Sequence, residues 1–579
     1  MTFIEWKMNI AEAKVVAYFL REKGVQILKP TVMTHYFNRI QDSMKKYWND
    51  PVLSNYNGKA FTFKEVAESI ERFHIAFQTF GLKKGEKVAL CGRNCAEWGI
   101  AFLGVATYEA VCVPLLNDFL PESVAHLTDH SESKVLFTDK AIWEKLDKSK
   151  MPLLEAAIAI DDYEILWAKD ERVAKAKEGK DAAFTAKYPN GMTPADVHYP
   201  VLNMDDLAII NYTSGTTSAP KGVMITTRGI SSNVEFAEHI IPHQKGDKLV
   251  SMLPLAHTFG LTFEFLYQIS AGCHVVFLGK IPSPKVLLQA FQDVKPYMLI
   301  TVPLVIEKIF KGSVFPVVKK PSVQAMMKVP FLSNIIKSRV RKSVLSAFGG
   351  KMRVLVAGGA AINGEVEWWM RYVKLPYAIG YGMTECSPLV AYQVPEKFAQ
   401  GSCGIIVDRM SGRIDSEDPQ HIVGEIQVTG DNVMRGYYKN EEATKAAFTE
   451  DGWLKTGDLG LIDKNGNVYI KGRSKNMILT SNGQNVYPEE IEDKMNNQPY
   501  VVESVVLERD KQIVALVFPD QDRISQEQLD SNGVAEIMEN NRVHVNLLLP
   551  GYARISKIEV MEQEFEKTPK RSIKRFMYK

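Results

Sequence analysis

Short apolar runs that recur between helix-period segments constrain this chain more than any other feature. Val88–Leu90, Ala110–Val113, Lys134–Phe137 and Ala157–Ile160 are four such runs, each separated from the next by a segment long enough for a helix. Strands that are apolar on both faces must be covered on both. Helices between successive strands supply that cover, so the pattern predicts a parallel sheet in an α/β body. Phe61-Thr-Phe63 followed by residues 64–77 reads as an N-capped amphipathic helix, with Gly81 and Gly85 bracketing the turn into the next strand. The apolar stretch from Trp98 to Leu116 is interrupted by Glu109 and Pro114, and so reads as a buried helix plus a strand instead of a membrane span. At 579 residues the chain exceeds what one core supports and implies two or more domains.

The strand Leu207-Ala-Ile-Ile210 runs into Tyr212-Thr-Ser-Gly-Thr-Thr-Ser-Ala-Pro-Lys-Gly-Val223. Glycines let backbone N–H groups turn toward an anion, the hydroxyls add donors that swivel, and Lys221 adds a point charge. The composition fits a polyphosphate cradle or an ordinary polar loop. A Walker loop is excluded, because Lys221 follows Pro220 and precedes Gly222 instead of opening a helix with Ser or Thr.

Downstream, Leu249–Leu253 and His274–Leu278 read as strands around a helix over Leu261–Ile269, entered through Pro254-Leu-Ala-His-Thr-Phe-Gly260. His257 in isolation is as well explained by a satisfied histidine at a strand end. Arg353-Val-Leu-Val356 meets Ala357-Gly-Gly-Ala-Ala361, where missing side chains let a flat ligand or acyl chain approach the backbone. Strand Tyr377–Ile379 meets Gly380-Tyr-Gly-Met-Thr-Glu-Cys-Ser387, which offers an aromatic face and a hard carboxylate. From Gly401 to Lys471, short β segments at Gly424–Gly430, Val433–Tyr438 and Asp451–Gly460 predict a small antiparallel, barrel-like unit. Asp458 in this unit is able to accept both hydroxyls of a ribose. The residues beyond form a further small domain, with a capped helix over Glu489–Asn496 and paired strands Val501–Leu507 and Gln512–Phe518. Residues 164–200 are charged, contain Pro and Gly, and read as a surface excursion.

Seventy basic against 68 acidic side chains leave a net charge of +2, which excludes a nucleic-acid-binding role for the whole surface. The balance is uneven, since residues 311–353 hold ten Lys/Arg and no Asp/Glu. Pro330–Phe348 interleaves apolar and cationic residues at near-helical spacing, as in a segment lying on an anionic bilayer or in a surface helix with a solvated basic face. Six scattered cysteines indicate a reducing compartment. Cys91 and Cys95 lack a second Cys/His pair at metal spacing and read as buried small hydrophobes. The run Val15–Leu20 is short and preceded by Glu5, Lys7, Glu12 and Lys14, so no secretory core is evident and the chain reads as soluble and cytoplasmic, with peripheral membrane contact through 311–353 as the open alternative.

In their order, Thr-Ser-Gly-Thr-Thr-x-x-Pro-Lys-Gly, Gly-Tyr-Gly-x-Thr-Glu, Thr-Gly-Asp and the Gly472-Arg-Ser-Lys475 stretch resemble the adenylate-forming superfamily of acyl-CoA synthetases, luciferases and peptide-synthetase adenylation domains. The resemblance spans residues 35–579 and is greatest to bacterial long-chain fatty acyl-CoA synthetases. It implies a large N-terminal domain (1–473) of two α/β sheet subdomains plus a small β-barrel-like subdomain. A small mobile α+β C-terminal domain (474–579) then follows, hinged at Lys475. It also implies ATP, Mg²⁺ and coenzyme A. Thr213, Ser214, Gly215, Thr216, Thr217 and Lys221 would serve the phosphates. Tyr381 would stack the adenine, with Gly358, Gly359 and Gly382 as further cofactor-binding positions, Thr384 and Glu385 would serve the phosphates and metal, and Asp458 and Arg473 the ribose. His257 would flank the carboxylate pocket, and Gly483 would border the path of coenzyme A. The tail Glu566–Arg575 resembles the one that supplies a lysine to adenylation, yet aligning Thr568 and Ile573 puts Ser572 at the lysine position. A neutral hydroxyl cannot replace an ammonium against developing negative charge, which leaves Lys570 and Lys574 as the candidates. The implied reaction activates a medium- or long-chain fatty carboxylate as acyl-AMP and transfers it to coenzyme A. An acyl-AMP ligase serving a carrier protein, or a nucleotide- or acyl-CoA-binding pseudo-enzyme, are the other readings. No nucleic acid and no obligate protein partner are implied.

Overall fold

All four leading runs are strands, and they pair in parallel. Lys87–Cys91 lies between Val111–Leu115 and Ser133–Thr138, and Ala156–Ala159 follows on the far side of Ser133–Thr138. In this computed structural model, residues 33–579 are described except 202, 214–219, 280–283, 360–361, 481–483 and 569–572. The body spans His35–Lys579.

The first sheet has eight strands, running from Gly436–Tyr437 through Lys221–Thr226 and Leu207–Thr213 to the parallel strands and then Ile165–Ala168 at the edge. The second has nine, with Tyr377–Gly382, Val354–Gly358, Met298–Thr301, Lys248–Ser251 and His274–Phe277 at its centre. Helix Ala96–Thr107 belongs to the core that joins them, and eleven of its residues are buried. A helix that is apolar all round has no face to give to solvent, which explains why the Trp98–Leu116 stretch mimics a membrane span. Gly99 is required in it, because a Cβ there would lie 2.6 Å from the Phe265 ring. Among the described residues no helix is long and apolar enough to cross a membrane.

A four-stranded antiparallel sheet, Met410–Asp415, Gly424–Gly430, Leu454–Ile462 and Val468–Arg473, forms the small β unit. The C-terminal part has its own apolar clusters around strands Val501–Arg509, Gln512–Pro519 and Lys557–Val560 and helices Pro488–Asn496 and Ser531–Leu547.

Several expectations need correction. Residues 164–200 are no plain excursion: they carry the edge strand Ile165–Ala168 and the helix Glu171–Lys187. That helix seats Val173, Ala176 and Phe184 on helix Phe63–Phe80, and the Arg72 guanidinium covers the Phe184 ring at 3.8 Å, so the apolar line was too thin to read through the charges. The Val433–Tyr438 segment leaves the small β unit, and Gly436–Tyr437 pairs with Lys221–Thr226 instead. The helix expected over Leu261–Ile269 is wound as a π-helix over Gly260–Leu266. Helix Pro488–Asn496 starts on a proline with no side-chain cap. Cys95 is only half-buried, and its sulfur accepts the Trp98 N–H as a helix cap.

Candidate active site

Leu207–Thr213 and Lys221–Thr226 are antiparallel, with Tyr212 opposite Gly222 and Thr213 opposite Lys221. The hydroxyl-rich loop is thus the tip of a hairpin, and its Ser214, Gly215, Thr216 and Thr217 lie outside the described residues. Gly222 has to be glycine, since a Cβ would come within 2.9 Å of Ile210 and 3.1 Å of Tyr212. The neighbouring strand carries Tyr437 beside Lys221, whose Nζ sits 5.0 Å from the Tyr437 ring centroid. The Tyr437 hydroxyl donates to Glu385 Oε1 at 2.9 Å. One oxygen of Glu385 is therefore held in place on a partly exposed carboxylate, a donor set that suits a divalent ion whose remaining ligands are phosphate and water.

Strand Tyr377–Gly382 delivers Tyr381, and the short helical turn Thr384–Cys386 delivers Glu385 and a buried Thr384. The Tyr381 hydroxyl donates to Asp458 Oδ2 at 2.7 Å, and Arg473 Nε meets Asp458 Oδ1 at 2.8 Å. Asp458 and Arg473 face each other because their strands pair in that register. Burial pushes the Asp458 carboxyl up from its ordinary pKa and the Arg473 charge opposes that rise; Glu489 and Glu385 add to it. Gly358 ends its strand against the Phe259 ring, where a Cβ would stand 3.2 Å from two ring carbons, and Gly359 takes φ +83°. Gly382 leaves no room either, with a Cβ 2.2 Å from the Pro388 carbonyl oxygen.

The segment that leads into His257 is held by residues that the motifs do not contain. Glu264, fully buried on the π-helix, accepts through one oxygen from Ser251 Oγ at 2.9 Å, Met252 N–H at 3.1 Å and Leu253 N–H at 3.0 Å. Burial raises its pKa to about 8, against those donors. Asn94 accepts from Leu255 N–H at 3.0 Å and donates to the Leu253 carbonyl at 2.6 Å. Asn211 donates to the Ala256 carbonyl at 2.8 Å. These three clamp the segment that leads into His257, itself half-buried at the start of the π-helix. Each was visible as a polar residue in an apolar setting: Glu264 inside Leu-Thr-Phe-Glu-Phe-Leu, Asn211 inside its strand, Asn94 just past the end of one.

Lys475 is exposed in the turn after Arg473. Asn476 Nδ2 donates to Glu489 Oε1 at 2.6 Å, and Lys471 pairs with Glu490 at 2.9 Å. In the tail, Lys567 and Ile573 form an isolated antiparallel bridge. Lys574 Nζ sits 3.2 Å from Glu566 Oε2, and Arg575 pairs with Glu492, whose burial lifts its pKa to about 7 against the pull of that cation. Lys570, Ser572 and Gly483 lie outside the described residues.

Residues 40–438 match the model of the AMP-binding enzyme family, and residues 475–578 match that of the AMP-binding enzyme C-terminal domain. A long-chain-fatty-acid–CoA ligase of Mycobacterium bovis, FadD15, is 29% identical over 77% of this chain and 75% of its own length. The chloroplastic long-chain-fatty-acid–[acyl-carrier-protein] ligase AEE15 of Arabidopsis thaliana is 26% identical over 82% of this chain and 74% of its own. The crystal structure of ATP-bound MatB from Rhodopseudomonas palustris superposes with a TM-score of 0.74 over 94% of this chain and 98% of that one; at 23% identity the likeness is one of fold.

Proposed function

The chain belongs to the AMP-binding enzyme family, and from that premise we propose that it activates a fatty carboxylate with ATP as acyl-AMP and passes the acyl group to coenzyme A. The observation that carries this reading is the Tyr381–Asp458–Arg473 corner within reach of the Lys221–Tyr437–Glu385 line, a ribose site beside a phosphate site. Asp458 accepts the ribose hydroxyls, and Arg473 steadies its charge. The Tyr381 hydroxyl, committed to Asp458, fixes the ring whose face meets the adenine. Gly358, Gly359 and Gly382 leave the backbone open to the base. Lys221 and Thr384 bind the outer phosphates together with the hairpin tip. Glu385 holds Mg²⁺, which supplies charge neutralisation on the phosphates.

The carboxylate enters beside His257 and attacks the α-phosphate, pyrophosphate leaves, and the thiol of coenzyme A then displaces AMP from the carbonyl. Residues 475–579 form the domain that moves about Lys475 between the two steps, bringing first the tail with Lys570 and Lys574 and then Gly483 to the cleft. Fatty carboxylates partition into bilayers, and contact of residues 311–353 with a membrane surface belongs to the same proposal.

Carboxylate-dependent pyrophosphate release, measured over acids of graded length with and without coenzyme A, tests the reading; no release at any length sinks it. Lys475→Pro is expected to spare that release and block thioester formation, and equal loss of both would remove the hinge. The carrier-protein relative supports a second reading, in which pyrophosphate is released but coenzyme A accepts no acyl group.

A further inference from the structure

Three helices in succession, Phe315–Val318, Pro321–Met327 and Pro330–Ala347, occupy the basic region. The middle one buries no residue, although its sequence Pro-Ser-Val-Gln-Ala-Met-Met has no charged side chain. So short a helix draws its stability from packing, and here only Met327 is tucked, partly buried, against the core. Met326, Val329 and Phe331 are 40%, 47% and 72% exposed, an apolar ridge that no other side chain covers among the described residues. The long helix that carries Phe331 is firmly seated on its other side, through buried Ser333, Ile336 and Val344 and a 2.7 Å hydrogen bond between Ser333 Oγ and the Tyr372 hydroxyl. Tyr372 ends the helix that follows the Gly358–Gly359 turn in the chain.

Charge surrounds the ridge. Lys320 and Lys328 flank it on the chain, and Lys342 lies about three turns along the helix from Phe331 on the same face, with Arg339 and Arg341 to either side. All five are exposed, and none forms an ion pair among the described residues, whereas Lys319 is paired with Glu365 and Lys337 lies over the Tyr372 ring. No acidic residue occurs from 311 to 353. A protein partner would have to be both apolar and acidic here; an anionic bilayer offers both at once, phosphates outside and acyl chains beneath.

We propose that Met326, Val329 and Phe331 enter the headgroup boundary of an anionic bilayer while Lys320, Lys328, Arg339, Arg341 and Lys342 lie against its phosphates. The proposal rests on the membrane contact stated above for residues 311–353 and names the side chains that insert.

The test is co-sedimentation of the full chain with phosphatidylcholine vesicles, with and without phosphatidylglycerol. The wild type is expected to bind the phosphatidylglycerol vesicles at least ~10-fold more tightly than the neutral ones, and to be released by salt. The double variant Met326→Ser/Phe331→Ser is expected to bind at least ~10-fold less well, with its melting temperature unchanged. If the wild type ignores phosphatidylglycerol vesicles, membrane contact and insertion both fall. If it binds and the serine variant binds equally, the contact stands and insertion falls. If vesicle-free sedimentation instead finds a dimer that the serine variant dissolves, the ridge is a protein interface and the proposal is wrong.

Discussion

Asp458 and Glu264 are both buried carboxyl groups, and their surroundings set them apart. Asp458 has a cation on one oxygen and a phenol on the other, and the cation is an arginine whose side chain is 58% exposed. Glu264 has three neutral donors on one oxygen and, among the described residues, no hydrogen-bond partner on the other and no cation beside it. A carboxylate paired with a mobile cation is able to exchange that partner for ligand hydroxyls, whereas one enclosed in apolar packing is driven toward its neutral form. The first suits the ribose role proposed for it, and the second suits the scaffold.

The largest effect expected from breaking this contrast is on folding. Glu264→Ala removes the acceptor of three donors and opens a void, and is expected to cost ~3–5 kcal/mol in urea unfolding. Glu264→Gln, which keeps a carbonyl acceptor, is expected to recover most of it. A loss under ~1 kcal/mol for alanine would show that the clamp holds nothing.

Asp458→Asn is expected to act the other way round. Pyrophosphate release falls ~100-fold, equivalent to ~2.7 kcal/mol, while the melting temperature stays within a few degrees. A stability loss comparable to that of Glu264→Ala would erase the distinction between the two sites.

The pH dependence of stability sharpens the comparison next. Glu264 has a folded-state pKa of about 8, above its ordinary value of 4.5, so the proton is held more tightly in the folded chain. Stability from this group is fully present below pH 4.5 and is lost as pH rises toward 8, at no more than ~1.4 kcal/mol per pH unit. The difference between wild type and Glu264→Gln in urea titrations at a series of pH values is expected to follow that slope; a flat difference counts against a neutral buried acid. The smallest effect is expected for Tyr437→Phe, which frees one oxygen of Glu385 and slows pyrophosphate release about fivefold, or ~1 kcal/mol.

Much of the contrast was half legible in the chain. Asp458 announces itself through Thr-Gly-Asp, a short local pattern within the strand Leu454–Ile462. Glu264 carries no such signature; a lone acid in an apolar helix shows only that something must satisfy it, and its donors lie at Ser251, Met252 and Leu253, on the far side of a loop. Tyr437 reads as part of a small β unit until pairing with the Lys221 strand moves it to the phosphate side.

What the sequence by itself determined is the first four strands, their parallel pairing and the hydroxyl-rich loop that follows Leu207–Ile210, since apolar period and turn chemistry act over a few residues and leave local marks. What only the tertiary structure decided is which distant groups meet: Asp458 with Tyr381 and Arg473, Tyr437 with Lys221 and Glu385, Glu264 with the end of a strand, and the uncovered ridge at Met326–Phe331. Those meetings depend on sheet register and on burial summed over the whole core, and neither quantity is written in any one stretch of the chain.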